Sequence, residues 1–230
     1  MNLETRREVP GGARRLGAVA LPVLVLSSMS ALADVVALPS PRLDSGFAVE
    51  HALAERRSVR EFGSRALALG ELAQLLWAAQ GITHRDGLRT APSAGALYPL
   101  ELYVVAGNVR DLVPGVYQYL PGRHVLKQLA AGDVRGQLCA AALAHECVAA
   151  GAAVVVFTAV ERRTTRKYGE RGVRYVHIEV GHAAQNLALQ AAALGLGSVT
   201  VGAFDDAAVA RLLKLPKGEA PLYLMPVGPR

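Results

Sequence analysis

Two cysteines, one tryptophan and four phenylalanines among 230 residues exclude several kinds of protein at the outset. Cys139 and Cys147 are the whole thiol complement, and both fall in a run that reads as one helix, "GDVRGQLCAAALAHECVAAG". Eight positions along a helix is about 12 Å of rise, beyond the reach of a disulfide. The two thiols therefore read as buried apolar fillers. No His/Cys spacing has the pattern of a metal site. Aromatic residues are 5% of the chain, and the basic residues are dispersed rather than gathered in a recognisable nucleic-acid module. The formal net charge of +6 thus does not point to nucleic acid. No internal repeat occurs.

Long apolar runs are equally scarce. The longest, "LGAVALPVLVLSSMSALA" at residues 16–33, is short for a membrane-spanning helix and is diluted by Pro22, Ser27, Ser28 and Ser30. Arg6, Arg7, Arg14 and Arg15 precede it, and Ala31, Leu32 and Ala33 stand before Asp34. A basic start, an apolar centre and a small-residue cleavage site form a secretory signal. The alternative is a retained N-terminal membrane anchor. With cleavage, membrane contact is transient and the expected location is periplasmic. Residues 1–33 carry four Arg and two Glu, so their removal lowers the net charge from +6 to +4.

What is abundant is Ala, Leu and Val, within an apolar content of 52%. The remaining length suits one domain with a proper core. The expected organisation is a signal at 1–33, a Pro/Ser/Gly-punctuated arm at 34–48 and one domain at 49–230. "FAVEHALAERRS" and "LALGELAQLLWAAQGIT" have helical periodicity. "LELYVVAG" and "GVYQYL" read as strands, with "HVLKQLA" as a shorter third. "AAVVVFTAV" has the unbroken apolar character of a strand buried on both faces. "VRYVHIEVGHAAQNLALQAAALG" is the longest helix, with Gly195 as its stop signal. "GSVTVGAF" and "PLYLMPVG" read as strands flanking a helix that Asp205 or Asp206 caps. The expected fold is an α+β sandwich with helices covering a mixed or antiparallel sheet.

The long helix carries two distinct faces. Gly181, Ala184, Ala188 and Ala191 make one side smooth, and Glu179, His182, Asn186 and Gln190 make another polar. Such a helix suits either a subunit interface or a buried core.

Four segments carry candidate chemistry. In "RRSVREF", Arg56, Arg57 and Arg60 surround Ser58 and can cradle a phosphate bidentately, or simply serve as the cationic end of a helix. "APSAGALYPLE" offers Ser93, Ala94, Gly95 and Leu97 in a loop of small residues against which a flat ligand can lie. The loop from 84 to 99 is long for a plain connection. "SVTVGAFDD" ends a strand at Val201 and Gly202 before a helix, where backbone N–H groups are free for an electron-rich ring edge or an anion. "ERRTTRKYGERGVRY" sets Lys167 beside Tyr168, a proton donor and acceptor if desolvated, or else part of a solvated helix end. "GLGS" follows a helix rather than a strand, so it is no dinucleotide fingerprint.

In their order and spacing, "RRSVREF", "APSAGALYPLE", "TTRKYGERGVRYVHIEVGHAAQNL" and "LGLGSVTVGAFDD" resemble the nitroreductase family of flavoproteins, in particular its SagB/ThcOx-type dehydrogenase branch. The resemblance runs from about residue 53 to the C-terminus. It implies FMN bound non-covalently at the interface of a homodimer. By position, Arg56, Arg57, Ser58 and Arg60 resemble the contacts to the ribityl phosphate and flavin edge. Ser93, Ala94, Gly95 and Leu97 resemble the loop that lies against the isoalloxazine of the other subunit. Val201 and Gly202 resemble the strand end that approaches flavin N5, and Arg230 a phosphate contact. Ala96 and Tyr98 stand where many nitroreductases have Asn and Gln. Lys167 and Tyr168 correspond to a Lys-Tyr pair with a catalytic role in that branch.

Two directions of reaction follow. An NAD(P)H-driven reductase would act on nitro compounds or quinones, whereas a dehydrogenase would oxidise a small organic substrate and pass electrons to an acceptor. Export favours the second, because NAD(P)H is scarce outside the cytoplasm. A non-catalytic flavin-binding protein is the alternative outside enzymology. No leader-peptide recognition domain is present, so a small-molecule substrate is expected.

Overall fold

The computed structural model describes residues 1–2 and 35–230. The expected signal segment and its paired arginines lie outside the described residues. Seven strands form one sheet in the order β1-β6-β5-β3-β7-β9-β8, antiparallel at every pairing. Their ranges are β1 Val35–Ala37, β3 Leu100–Ala106, β5 Gly115–Leu120, β6 Val125–Ala131, β7 Ala153–Ala159, β8 Leu196–Ser198 and β9 Ala220–Pro229. A small parallel pair, β2 Leu67–Ala68 with β4 Val109–Arg110, stands apart and has no clear sequence signal.

The centre of the sheet is β3 and β7, whose pleat sends alternate side chains to opposite layers. Leu102, Val104, Val155 and Phe157 meet one core, and Tyr103, Val105, Val154 and Val156 meet the other. All seven residues of β7 are buried, which is why it reads as an unbroken apolar run. Helices α2 Leu69–Gln80 and α6 Arg171–Ala193 cover the first layer. Leu72, Leu75 and Leu76 of α2 are 0% exposed, each worth about 1.5–3 kcal/mol of apolar burial. Glu71 accepts the Ala68 N–H at 2.8 Å and an Arg65 guanidinium hydrogen bond at 3.0 Å, which satisfies the start of α2.

Helices α3 Arg135–Ala141, α4 Glu146–Ala150 and α7 Asp206–Leu213 cover the second layer. Asp205 caps α7 by accepting the Ala208 N–H at 2.9 Å. The single helix expected across both cysteines is two helices. Leu143 and Ala144 take left-handed backbone, φ 53° and 59°, and the Ala144 N–H turns back to the Cys139 carbonyl. The Asp205 N–H also claims the Ala141 carbonyl at 2.8 Å, a tertiary bond that ends α3 where propensity alone would continue it. Both cysteines are free, and Cys139 Sγ donates to the His145 carbonyl.

Three further elements differ from expectation. The arm contributes β1, and it is clamped to α2 because Arg42 and Gln74 exchange two hydrogen bonds, at 2.8 and 3.0 Å. β6 is as long as β3 rather than shorter. The segment before α6 is its own helix, α5 Arg162–Tyr168, ended by Gly169 at φ 57°.

Candidate active site

Helix α1, Val49–Glu55, stops just short of the arginines. Beyond it the chain runs alongside β8: Ser58 bridges Ser198 in parallel and the Val59 N–H donates to the Ser198 carbonyl at 3.0 Å. Val59 and Phe62 hold this segment by packing onto two glycines. A Cβ at Gly197 would fall 2.6 Å from Val59 Cγ1, and one at Gly228 would fall 3.0 Å from Phe62 Cδ1. Only glycine permits so close an approach.

This arrangement leaves a cavity of about 160 Å³. Arg56 and Ser58 form one wall, Ser198, Val199 and Thr200 a second, and Tyr223 and Met225 of β9 a third. The floor is the smooth face of α6, Gly181, Ala184 and Ala188. The expected strand "GSVTVGAF" ends as a strand at Ser198, but the Val199 N–H still donates to the Pro226 carbonyl at 3.4 Å and Val201 exchanges two hydrogen bonds with Leu224 at 2.8 and 3.0 Å. Val199 and Thr200, between these pairings, both line the cavity. Gly202 is exposed directly beyond it, against the Tyr223 ring.

Not every candidate in this group meets the cavity. Arg57 donates to the Ala54 and Arg56 carbonyls at 2.9 and 2.7 Å and closes the end of α1. Arg60 is exposed, and its charge acts on the Cys147 thiol, which burial otherwise pushes up. Arg230 Nε donates to the Leu196 carbonyl at 3.1 Å. None of these three lines the cavity.

The second group forms around residues 93–98. Ala94–Ala96 make a 3-10 turn, with Gly95, Ala96 and Tyr98 all in left-handed backbone, φ 65°, 53° and 46°. The Tyr98 N–H closes the loop onto Ser93 Oγ at 2.9 Å. Across α5, Lys167 and Tyr168 reach this loop. A Cβ at Gly95 would lie 2.8 Å from Tyr168 Oη, 3.0 Å from Lys167 Nζ and 3.6 Å from Leu97 Cγ. Tyr168 packs edge-on against Tyr175 with ring centroids 5.2 Å apart, and Lys167 Nζ lies 5.3 Å from the Tyr168 ring centre. Ser93, Ala94, Gly95 and Leu97 are thus brought together with Lys167 and Tyr168, but they are not walls of the Arg56 cavity.

Arg89 and Arg163, which the sequence does not single out, surround this loop together with the polar face of α6. Arg89 lies over the Tyr98 ring at 4.6 Å and donates to Gln80 Oε1 at 2.7 Å. Arg163 ties the far end of the loop, donating to the Tyr98 carbonyl at 3.0 Å while pairing with Glu101 at 2.6 Å. Glu179 is 3% exposed, and burial pushes its carboxyl up to about 7 against the opposing pull of the Ser93 hydroxyl and Arg89. The polar face of α6 therefore points largely inward. Asn186 donates to the Thr90 carbonyl and Gln190 accepts from Gln74, while His182 is exposed. The helical spacing of those four residues is the signal that could have located the network.

Among the described residues no group of His, Cys, Asp or Glu could hold a metal ion. No described helix is long and apolar enough to cross a membrane.

Residues 53–229 match the model of the Nitroreductase family. A Methanocaldococcus jannaschii protein bearing the name nitroreductase is 47% identical over 200 residues, which is 86% of this chain and 98% of that one. A crystal structure bearing that name from Ralstonia eutropha is 30% identical with a TM-score of 0.72, covering 85% of this chain and 89% of the other. One from Anabaena variabilis is 32% identical with a TM-score of 0.71, covering 79% of this chain. This chain spans 38% of the Anabaena chain.

Proposed function

The chain belongs to the nitroreductase family, and from that premise we propose that it is an FMN-dependent dehydrogenase of the SagB/ThcOx type acting on a small organic substrate. The residues present fit such a cofactor. The Arg56 cavity offers a guanidinium and the Ser58, Ser198 and Thr200 hydroxyls over a floor of small residues, with Gly181 leaving open space where a side chain would stand. That donor set suits a phosphorylated polyol chain, and the exposed Gly202 backbone beside it suits the edge of a flat ring.

When bound, FMN supplies the two-electron redox chemistry. The side chains bind, orient and handle protons. Arg56 neutralises the anionic end, and residues 93–97 provide a surface with little side-chain bulk. Lys167 and Tyr168 hold or release the substrate proton. The observation that carries this reading is at Gly95, where the missing side chain leaves room for Tyr168 Oη and Lys167 Nζ.

A homodimer belongs to the same proposal. Residues 93–97 are absent from the walls of the Arg56 cavity, which supports a site completed by a second copy. Val49 on α1 is 58% exposed and lines a groove of about 290 Å³ with Trp77 and Leu189, and Leu53 on the same helix is 56% exposed. That unpaired apolar strip supports the same view.

Export supports the dehydrogenase direction and rests on the sequence pattern of residues 1–33 alone. The family name of the relatives supports the second reading, an NAD(P)H-driven nitro or quinone reductase. An absorption spectrum of the purified protein, followed by anaerobic NADPH, separates them. A yellow protein that NADPH leaves oxidised but a cyclic imine or amine substrate bleaches supports the dehydrogenase. Rapid bleaching by NADPH establishes the reductase. A yellow protein that neither reagent bleaches is a flavin carrier, and one that takes up no FMN defeats all three readings.

A further inference from the structure

Helix α5 serves two places at once. Lys167 and Tyr168 reach the Gly95 loop, while Arg162, Arg163 and Arg166 line a separate cavity of about 500 Å³ with Val160, Lys217 and Gly218. That cavity shares no residue with the Arg56 cavity.

Its fourth cation is held there by a defined turn. The Glu219 N–H closes residues 216–219 onto the Pro216 carbonyl at 3.1 Å, with Gly218 at φ 88° in the third position, where such a turn needs left-handed backbone. Glu219 also pins the turn to β7, because its carboxyl accepts the hydroxyl hydrogen bond of Thr158, which is 0% exposed. Lys217, in the second position, is thereby carried to the cavity beside α5. A Cβ on Gly218 would meet nothing within 4 Å, so the turn leaves room for a ligand.

The charge around this cavity is not balanced. Arg163 is taken by Glu101 at 2.6 Å and by the Tyr98 carbonyl at 3.0 Å. Glu219 is occupied by Thr158. Among the described residues Arg162, Arg166 and Lys217 have no ion pair and no side-chain hydrogen bond, and Glu161 at the head of α5 pairs with none of them. Arg162 and Arg166 stand four residues apart on one helix, a spacing at which like charges repel. Lys217 brings a third positive group to the same space. An oxyanion relieves that repulsion, and guanidinium forks match phosphate and carboxylate oxygens two at a time. The volume is that of a small-molecule site.

We propose that the cavity between α5 and the 216–219 turn binds a small molecule bearing two or more negative charges on phosphate or carboxylate groups. Arg162, Arg166 and Lys217 hold it, and Arg163 stays with Glu101 and Tyr98. The site goes beyond the function proposed above and does not need FMN.

The test is titration calorimetry of the full chain with inorganic pyrophosphate and, separately, citrate, at ionic strength held constant with sodium chloride. Each is titrated with and without FMN. One of the two binds, and R166A and K217A each weaken it about tenfold or more, as expected for loss of a hydrogen bond to a charged group. R56A and R123A, which alter arginines outside this cavity, leave it unchanged. Binding of pyrophosphate alone assigns a phosphorylated ligand, and binding of citrate alone a polycarboxylate. Binding of neither overturns the proposal. So does a loss confined to R56A, which places the anion in the Arg56 cavity, or an equal loss in all four variants, which reduces it to general surface charge.

Both tested side chains are exposed, and circular dichroism confirms the fold of each variant. Should an alanine variant fail to fold, R166Q and K217Q remove the same charges at closer volume and carry the same expectation. A protein that binds the anion through Arg166 and Lys217 but takes up no FMN keeps this site and loses the functional reading. One that takes up FMN but binds neither anion loses this site alone.

Discussion

Gly95 and Tyr168 share one space: a Cβ on the glycine would lie 2.8 Å from the tyrosine hydroxyl oxygen. Gly95→Ala places a methyl there and also strains backbone at φ 65°. The strain costs about 1–2 kcal/mol, and the methyl moves Tyr168 Oη and Lys167 Nζ off the loop. The expected result is a modest fall in Tm with a disproportionate fall in kcat, about tenfold or more, and FMN affinity within about threefold. Thermal unfolding, flavin titration and turnover on the same preparation measure all three.

Tyr168→Phe keeps the edge-on packing against Tyr175 and removes only the hydroxyl. With Tyr168 as a proton-handling group, kcat drops about 10²–10⁴-fold while Tm stays within a degree or two. Lys167→Met gives a loss of similar order. Steady-state kinetics across pH 6–10 checks this. A variant with unchanged kcat would reduce Tyr168 to a packing residue.

Arg56 and Arg57 are neighbours with different occupations. Arg56 lines the cavity, whereas Arg57 closes the end of α1 through two backbone carbonyls. Arg56→Ala should weaken FMN binding at least about tenfold, the scale of a charge-assisted contact. Arg57→Ala should cost under about 1 kcal/mol of stability and weaken binding far less. Flavin fluorescence quenching compares the two.

Stability should depend on pH through Glu179. Its folded value is raised from 4.5 to about 7, chiefly by burial, so between those values the native state keeps a proton that the unfolded chain has released. Stability from this group is therefore fully present below pH 4.5 and lost as pH rises through 7, by about 3 kcal/mol at most. The groups facing it are Ser93 and Arg89, and Arg89 in turn faces Glu101 and Arg163. Urea unfolding of the wild type and Glu179→Gln at pH 5 and 8 isolates the effect. The wild type should lose more stability over that interval.

Much of this architecture is legible in one dimension. β7 announces itself because both of its faces are buried, and Gly195 ends α6 at φ 67°. Val59 and Phe62 anchor the segment that carries Arg56 and Ser58, so a local run and its place in the fold coincide. The break between α3 and α4 is hidden, since an alanine-rich run has uniform helix propensity and the stop comes from a distant N–H at Asp205. Glu179 is hidden for a related reason. Helical spacing shows that α6 has a polar side, but that side is made internal by Arg89 and Ser93, contributed from some ninety residues earlier in the chain. Arg57 shows the opposite limit, because composition cannot say which arginine of a cluster its own helix end will claim.

The Ser58–Ser198 bridge has a consequence for the molecule's behaviour toward its own copies. β8 is the last strand of the sheet, and the segment beginning at Ser58 lies along it as a cover. An uncovered strand border is a template for the borders of other molecules. The segment that supplies Arg56 and Ser58 to the cavity thus also shields the sheet from aggregation. Loosening Val59 or Phe62 would empty the ligand cradle and make the protein sticky in the same event, so solubility and cofactor occupancy should rise and fall together.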